Sequence, residues 1–428
     1  MALPCFVAAD ILLPSAGTPL DPWACIAVDQ FTSQPEYWQR AEELAKDHPS
    51  TLHIVLPEAY LGTPQEEQRL HDIRDTMERY RIQVLTRQVH GYVYVERTQM
   101  DGSIRQGLIG AVDLEAYDYT PGSHTAIRPS EKTVVERIPP RLKVRRGALL
   151  ETPHVMMLAD DPEKTLIEPV GDCKAELPLL YDGDLMLGGG HLRGWAVEDP
   201  ALIARIDGAL AALADPEAFA RRWPAVAGQT PMVLAVGDGN HSLATAKAYW
   251  EELKPTLTDE QKQNHPARWC LAEVCNVHSP AIEIEPIHRV VFGVTAKELY
   301  EDLDRWDKAQ GSCTTPSGQR FRLADRQGEV AVALENPPAP LTVGSIEAFL
   351  AEWLPRHPQA SVDYIHGAST AMALAARPDR PAAAILLPDF DKADLFRGVV
   401  LGGVLPRKTF SMGHAEEKRY YNECRVIG

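Results

Sequence analysis

The stretch TPMVLAVGDGNHSLATAKAYWEEL, residues 230–253, constrains the fold more than any other part of the chain. Residues 232–236 form a short apolar, β-branched run of the length of a buried strand. Residues 237–240 break it, and from His241 onward Leu243, Ala246, Tyr249 and Leu253 recur at helical spacing. Strand, tight turn and helix are expected in that order. The first turn of a helix has N–H groups without partners and carries the positive end of the helix dipole, so it attracts anions. Gly237 and Gly239 would let a ligand come close, and Asp238, Asn240, His241 and Ser242 gather polar side chains at the same point. Two readings are open: a phosphate or metal-phosphate site, or an ordinary turn in which Asn240 or Ser242 caps the helix and His241 is solvated.

At 428 residues the chain is long enough for two or three structural units. Hydrophobic residues at 45% and charged residues at 24% place it in the globular class, without a run of about 18 apolar residues that could span a membrane. Lys and Arg number 43 against 60 Asp and Glu, and the net charge of -17 opposes a nucleic-acid partner. A small anionic or phosphorylated ligand could still bind in a local basic pocket. Seven cysteines form no CxxC pair and read as reduced thiols. The apolar N-terminus has no basic n-region, so a cytoplasmic location is expected.

Other segments add candidates. Residues 24–28 look strand-like and Pro35 can open a helix through Ala45, so Asp29, Gln30, Thr32 and Ser33 fall at a strand-to-helix junction, where either a ligand site or simple capping would use them. Residues 52–56 read as a buried strand, and Asp101-Gly102 marks a hairpin. The basic segment 128–146 holds Arg128, Lys132, Arg137, Arg141, Lys143, Arg145 and Arg146, interspersed with Glu131 and Glu136; Glu151 and His154 follow. It fits a phosphate-binding wall or a salt-bridged solvated face. LYDGDLMLGGGHLRGW, with Asp182, Asp184 and His191, lacks P-loop spacing and fits a turn or bulge as well as a ligand loop. Glu283 and Glu285 share a strand face that is expected to look at water, while His288 and Arg289 are stronger candidates. The tail displays Arg407, Lys408, Ser411 and His414, and its aromatic and glycine content suggests that it docks and completes a site.

Four motifs in order resemble a bacterial and archaeal family known as the domain of unknown function ten-fifteen. DGNHSLATA resembles its DGHHRYETA-like motif, RPSE at Arg128 to Glu131 its RHE-like element, PIHR at Pro286 to Arg289 its PTHR element, and PRKT at Pro406 to Thr409 its PxKS-like end. The first motif also resembles that of free-serine kinases in the ParB/sulfiredoxin-like superfamily, with Asn240 for the first histidine and Ser242 for the arginine. The resemblance implies a mixed α/β fold with a ParB/sulfiredoxin-like nucleotide-binding core and an additional α/β lobe. The domain expectation is an N-terminal lobe over residues 1–223, with the basic segment, and a C-terminal lobe over residues 224–428, or one intertwined unit.

By that resemblance the chain is expected to be a nucleotide-dependent small-molecule kinase acting on a hydroxyl-bearing amino acid such as serine, with Mg²⁺ and ATP or ADP. Asp238 would hold the metal and Asp29 or Glu131 would be the base. His241 would contact phosphate or substrate, alongside Gly237, Gly239, Asn240 and Ser242. Arg128, His288, Arg289, Arg407 and Lys408 would line the nucleotide site and supply charge. Two alternatives are a nucleotide- or metabolite-binding regulator without turnover, which the loss of the motif arginine favours, and a metal-dependent hydrolase built on His191, His241 and His288, which lacks a trusted ligand spacing. No membrane partner is expected, and a homo-oligomer is left open.

Overall fold

The computed structural model describes the chain apart from residues 1–3, 33, 153–154, 312–317, 390, 407 and 414–416. Ser33, His154, Arg407 and His414, named above, and Cys313, one of the seven cysteines, lie outside the described residues. Two compact units are formed. The first comprises Met1–Pro129, Thr133–Ile282 and His414–Gly428; the second comprises Ser130–Lys132 and Glu283–Gly413. Both are mixed α/β.

The first unit is built on a ten-stranded mixed sheet whose main path runs Ile127–Pro129, Leu234–Asp238, Val155–Ala159, Trp269–Asn276, Ile104–Asp113, Arg87–Thr98, His191–Val197 and Leu179–Asp184. Phe6–Val7 and Ala9–Leu13 pair at its side. Alternation along Arg87–Thr98 divides the core: Val93 and Val95 join a cluster with Trp23, Trp38 and Met77, whereas Tyr92 and Tyr94 join one with Leu234, Val236, Leu243 and Trp250. The central strands read as nearly continuous apolar runs because both faces of the sheet are covered.

The Asp101-Gly102 hairpin forms, with Gly102 at φ +84°. Residues 52–56 do not form the expected strand; Thr51–Ile54 is a 3₁₀ helix whose cap, Ser50, accepts from the Leu52 amide at 3.2 Å. A short apolar run does not by itself distinguish strand from helical turn, and a local serine cap decides between them. The strand expected over residues 24–28 shrinks to Cys25–Ile26, which pairs with Tyr420–Tyr421 from the tail.

The second unit has a six-stranded sheet along Gly328–Leu334, Gln319–Asp325, Ala382–Leu386, Ile284–Phe292 and Ser361–His366, with Phe410–Met412 pairing Ile284–Phe292. The helix Ala296–Ala309, with a Thr295–Glu298 capping box, and the helix Thr342–Trp353 cover the face of Val291 and Ile385. Ala368–Ala375 covers the face of Val290 and Ala384. Among the described residues no helix is long and apolar enough to cross a membrane. The described cysteines are free and, except for half-buried Cys173, buried; burial pushes the Cys25, Cys270 and Cys424 thiols up to about 12.

Candidate functional site

The expected strand, turn and helix form as Leu234–Asp238 followed by Asn240–Leu253, a helix of 14 residues. The strand's pairing with Val155–Ala159 shifts register between Val236 and Asp238, so the strand end bends at Gly237 and re-aims Asp238. Gly239, at φ +88°, occupies the N-cap position, and a Cβ there would lie 2.6 Å from Arg419 Nη1. Left-handed backbone together with close approach requires glycine. Gly239 has no side chain with which to cap this helix, the arrangement in which the first-turn amides of a helix can take an anion.

Charges gather around the turn. Arg419, only 1% exposed, donates from Nη1 to the Asp238 carbonyl at 2.7 Å, and its Nη2 lies 3.9 Å from Asp238 Oδ2. Lys418 Nζ lies 3.7 Å from the same oxygen, while Asp238 Oδ1 accepts from the Gly239 amide at 2.8 Å. Burial pushes the Asp238 carboxyl up, but Arg419, Lys418 and the Gly239 amide outweigh it and hold it below the usual carboxylate range. Burial likewise opposes the charge on Arg419, and Asp238, with Tyr421 and Asp29, raises it again. Asp29, on the exposed loop after Cys25–Ile26, therefore belongs to the same electrostatic group; its Oδ1 accepts from Gln30 Nε2 at 3.1 Å. His241 Nε2 accepts from the Val134 amide at 3.3 Å, which leaves the proton of a neutral ring on Nδ1. Asn240 Oδ1 is buried without a hydrogen-bond partner.

The remaining candidates are placed differently. Arg128 is buried and donates to the carbonyls of Thr125 and Thr230 at 3.0 and 2.7 Å. In the rest of the basic segment Arg141 pairs with Glu58, Lys143 with Glu66, Arg145 with Glu151 and Arg146 with Glu252. Glu131, His288, Arg289 and Lys408 all belong to the second unit. There three motifs meet through backbone bonds: Leu405 donates to Ser130 at 2.8 Å and Ile287 to Thr409 at 3.2 Å, with Glu131 bridging Leu405. His288 is buried and accepts on Nδ1 from the Leu387 amide; burial and then Arg289 lower its pKa. Arg289 is fully buried, donates from Nε to Glu347 at 2.9 Å, has Nη2 in ion-pair contact with the same carboxylate at 2.8 Å, and lies 5.0 Å from the Tyr364 ring centre. Lys408 is exposed, at φ +56°. Glu283 and Glu285 face water. His191 lies between Asp182 and Asp184, at 2.6 and 2.7 Å.

Lys418 and Arg419 escaped the reading from sequence, although the tail holding them was expected to dock. Its signal was a basic pair directly before Tyr420 and Tyr421, which pair with Ile26 and Cys25 and so anchor Arg419.

Fold and site together define a mixed α/β protein whose strand-turn-helix, with glycine at the N-cap, is flanked by buried Arg419 and half-buried Lys418. The chain belongs to the family of proteins of unknown function DUF1015, whose profile matches residues 12–361. No curated protein matches the chain. Solved structures that resemble it include a free serine kinase in complex with AMP, at 11% identity and TM-score 0.35, covering 73% of this chain and 90% of that one. A conserved hypothetical protein from Pyrococcus furiosus is similar at 10% identity and TM-score 0.32, covering 74% and 94%. SbnI from Staphylococcus aureus, with a C-terminal truncation, matches at 10% and 0.32, covering 73% and 85%.

Proposed function

We propose that the Asp238–Ser242 turn binds the phosphates of a nucleotide and that the protein is a cytoplasmic kinase of a hydroxyl-bearing small molecule. One observation carries this reading: a 14-residue helix starts, without a cap from its N-cap residue, directly after a left-handed turn that requires Gly239, beside Lys418 and Arg419. The likeness of DGNHSLATA to the free-serine-kinase motif supports it. The amides of Asn240 to Ser242 would receive phosphate oxygens, and His241 would sit beside them. Buried Arg419 would hold the turn in shape, and Lys418 would offer charge.

In the transfer, the acceptor hydroxyl gives its proton to Asp29 while its oxygen bonds the terminal phosphorus. The bond from that phosphorus to the bridging oxygen breaks, and the nucleotide leaves with the electron pair. Among the described residues no cluster of three or more carboxylate, His or Cys ligands could hold a metal alone. Asp238 Oδ2 has no hydrogen-bond donor, so the residues fit Mg²⁺ held by one carboxylate and by the nucleotide's own phosphates. Such an ion would neutralise phosphate charge.

A second reading, a nucleotide-binding regulator without turnover, draws support from the ion pairing at Asp238: two cations already within 4 Å compete with a metal there. Thermal-shift and calorimetric titrations of the purified chain with AMP, ADP, ATP and CTP, with and without Mg²⁺, separate the cases, together with phosphorus NMR of hydroxy-acid and serine mixtures. Binding with phosphoester formation supports the kinase. Binding that survives Asp238→Asn without product supports the regulator, and no binding of any nucleotide sinks both.

A further inference from the structure

A cavity of about 120 Å³ lies within the first unit against the start of the same helix, where Ser242 and Thr245 form part of its wall. Most of the remaining wall is aliphatic, with Leu56, Met77 and Leu150 among its residues. An apolar cavity of roughly 150 Å³ accepts benzene, so this one has room for a branched aliphatic group or a small ring.

Two arginines, Arg141 and Arg145, and two glutamates, Glu58 and Glu151, line the cavity. Arg141 is answered by Glu58. Glu151, buried, is shared by Arg145 at 2.7 Å and by Arg425, which lies off the cavity wall, at 2.9 Å, so Arg145 has only part of one carboxylate. Arg145 Nε is buried and donates to no acceptor. A guanidinium on the wall with a buried donor left open favours a guest that brings an anionic acceptor. Both carboxylates at the wall are already paired with arginine, so an ammonium group entering here would lose its water without gaining a partner.

We propose that this cavity is the side-chain pocket of the acceptor, and that the acceptor is a small monocarboxylic hydroxy acid with an aliphatic or single-ring substituent rather than a free amino acid. The carboxylate is met by Arg145 and the hydroxyl is directed to the first turn of the Asn240–Leu253 helix. The assignment rests on the kinase reading, whose acceptor it names.

The test is calorimetry on the full chain with 3-phenyllactate, 2-hydroxy-4-methylpentanoate and L-serine, each with and without AMP. Both hydroxy acids are expected to bind at least about tenfold tighter than serine. Ala148→Phe and Leu61→Trp, at two positions on the cavity wall, are each expected to weaken hydroxy-acid binding by about tenfold or more while AMP binding is kept. Retained AMP binding shows that a variant is folded. A chain that binds AMP but neither hydroxy acid overturns the pocket and leaves the nucleotide reading standing. Serine binding as tightly as the hydroxy acids, or hydroxy-acid binding unchanged in both folded variants, also overturns it. A chain that binds the hydroxy acids but no nucleotide supports the ligand class and overturns the kinase reading.

Discussion

Arg419 holds Asp238 twice, by donating to its backbone carbonyl at 2.7 Å and by standing 3.9 Å from its carboxylate oxygen. The guanidinium is 1% exposed, so removing it leaves a half-buried carboxylate without its main partner and frees the turn before the helix. Arg419→Met is expected to lower unfolding stability by about 3–5 kcal/mol, read from urea melts. It should also abolish nucleotide binding. A loss of under about 1 kcal/mol would remove Arg419 as the residue that shapes the turn.

Gly239 and Gly228 share a left-handed backbone, at φ +88° and +90°, but only Gly239 would press a methyl group onto Arg419; at Gly228 nothing lies within 4 Å. Both alanine substitutions should cost about 1–2 kcal/mol from backbone strain. Gly239→Ala is expected to cost more than Gly228→Ala and, unlike it, to weaken AMP binding. Parallel melts and titrations of the two variants measure the contact by difference.

Asp238 and His191 should move stability in opposite directions with pH. The Asp238 carboxyl titrates below its unfolded value of 3.8, so its contribution is complete above that pH and is lost as pH falls through the folded value. His191 is raised above 6.5, chiefly by its hydrogen bond to Asp184 and also by Asp182. Its contribution is therefore complete below pH 6.5 and is lost as pH rises through the folded value. Melting temperatures of the parent, Asp238→Asn and His191→Asn across the acid and neutral ranges check this. The first variant should flatten the acid limb and the second the limb above pH 6.5.

Arg289 is committed to Glu347 and Tyr364 within the second unit. Arg289→Met should destabilise the protein by about 3–5 kcal/mol, because it leaves Glu347 beside an apolar side chain. AMP affinity should be unchanged. A clear loss of AMP binding in the folded variant would give Arg289 a ligand role instead.

Much of the local architecture was legible along the chain. Residues 230–253 announce strand, turn and helix because the apolar spacing changes period at two glycines, and the Asp101-Gly102 hairpin is set by a turn that glycine makes easy. Residues 52–56 misled because an apolar run of that length fits either a strand or a capped 3₁₀ turn, and the cap at Ser50 lies outside the run. The basic segment announced its charge but not its use: Glu58, Glu66, Glu151 and Glu252, which neutralise it, lie up to 106 residues away. The unit boundaries at Ile282 and Gly413 carry no glycine-proline linker signal, because the second unit enters and leaves on strands that continue into its own sheet.

By itself the sequence determined the strand-turn-helix, through periodicity and backbone freedom, and the family membership announced by its four motifs, through local spacing, and with that resemblance came the mixed α/β class. Only the tertiary structure decided which cations stand beside Asp238. Arg419 arrives from 181 residues away through the pairing of Tyr420–Tyr421 with Cys25–Ile26, whereas Arg128 and Arg289, equally basic on paper, are turned to carbonyls and to Glu347. A charge carries no record in the chain of the partner that burial will give it, and that partner decides whether it is left for a ligand.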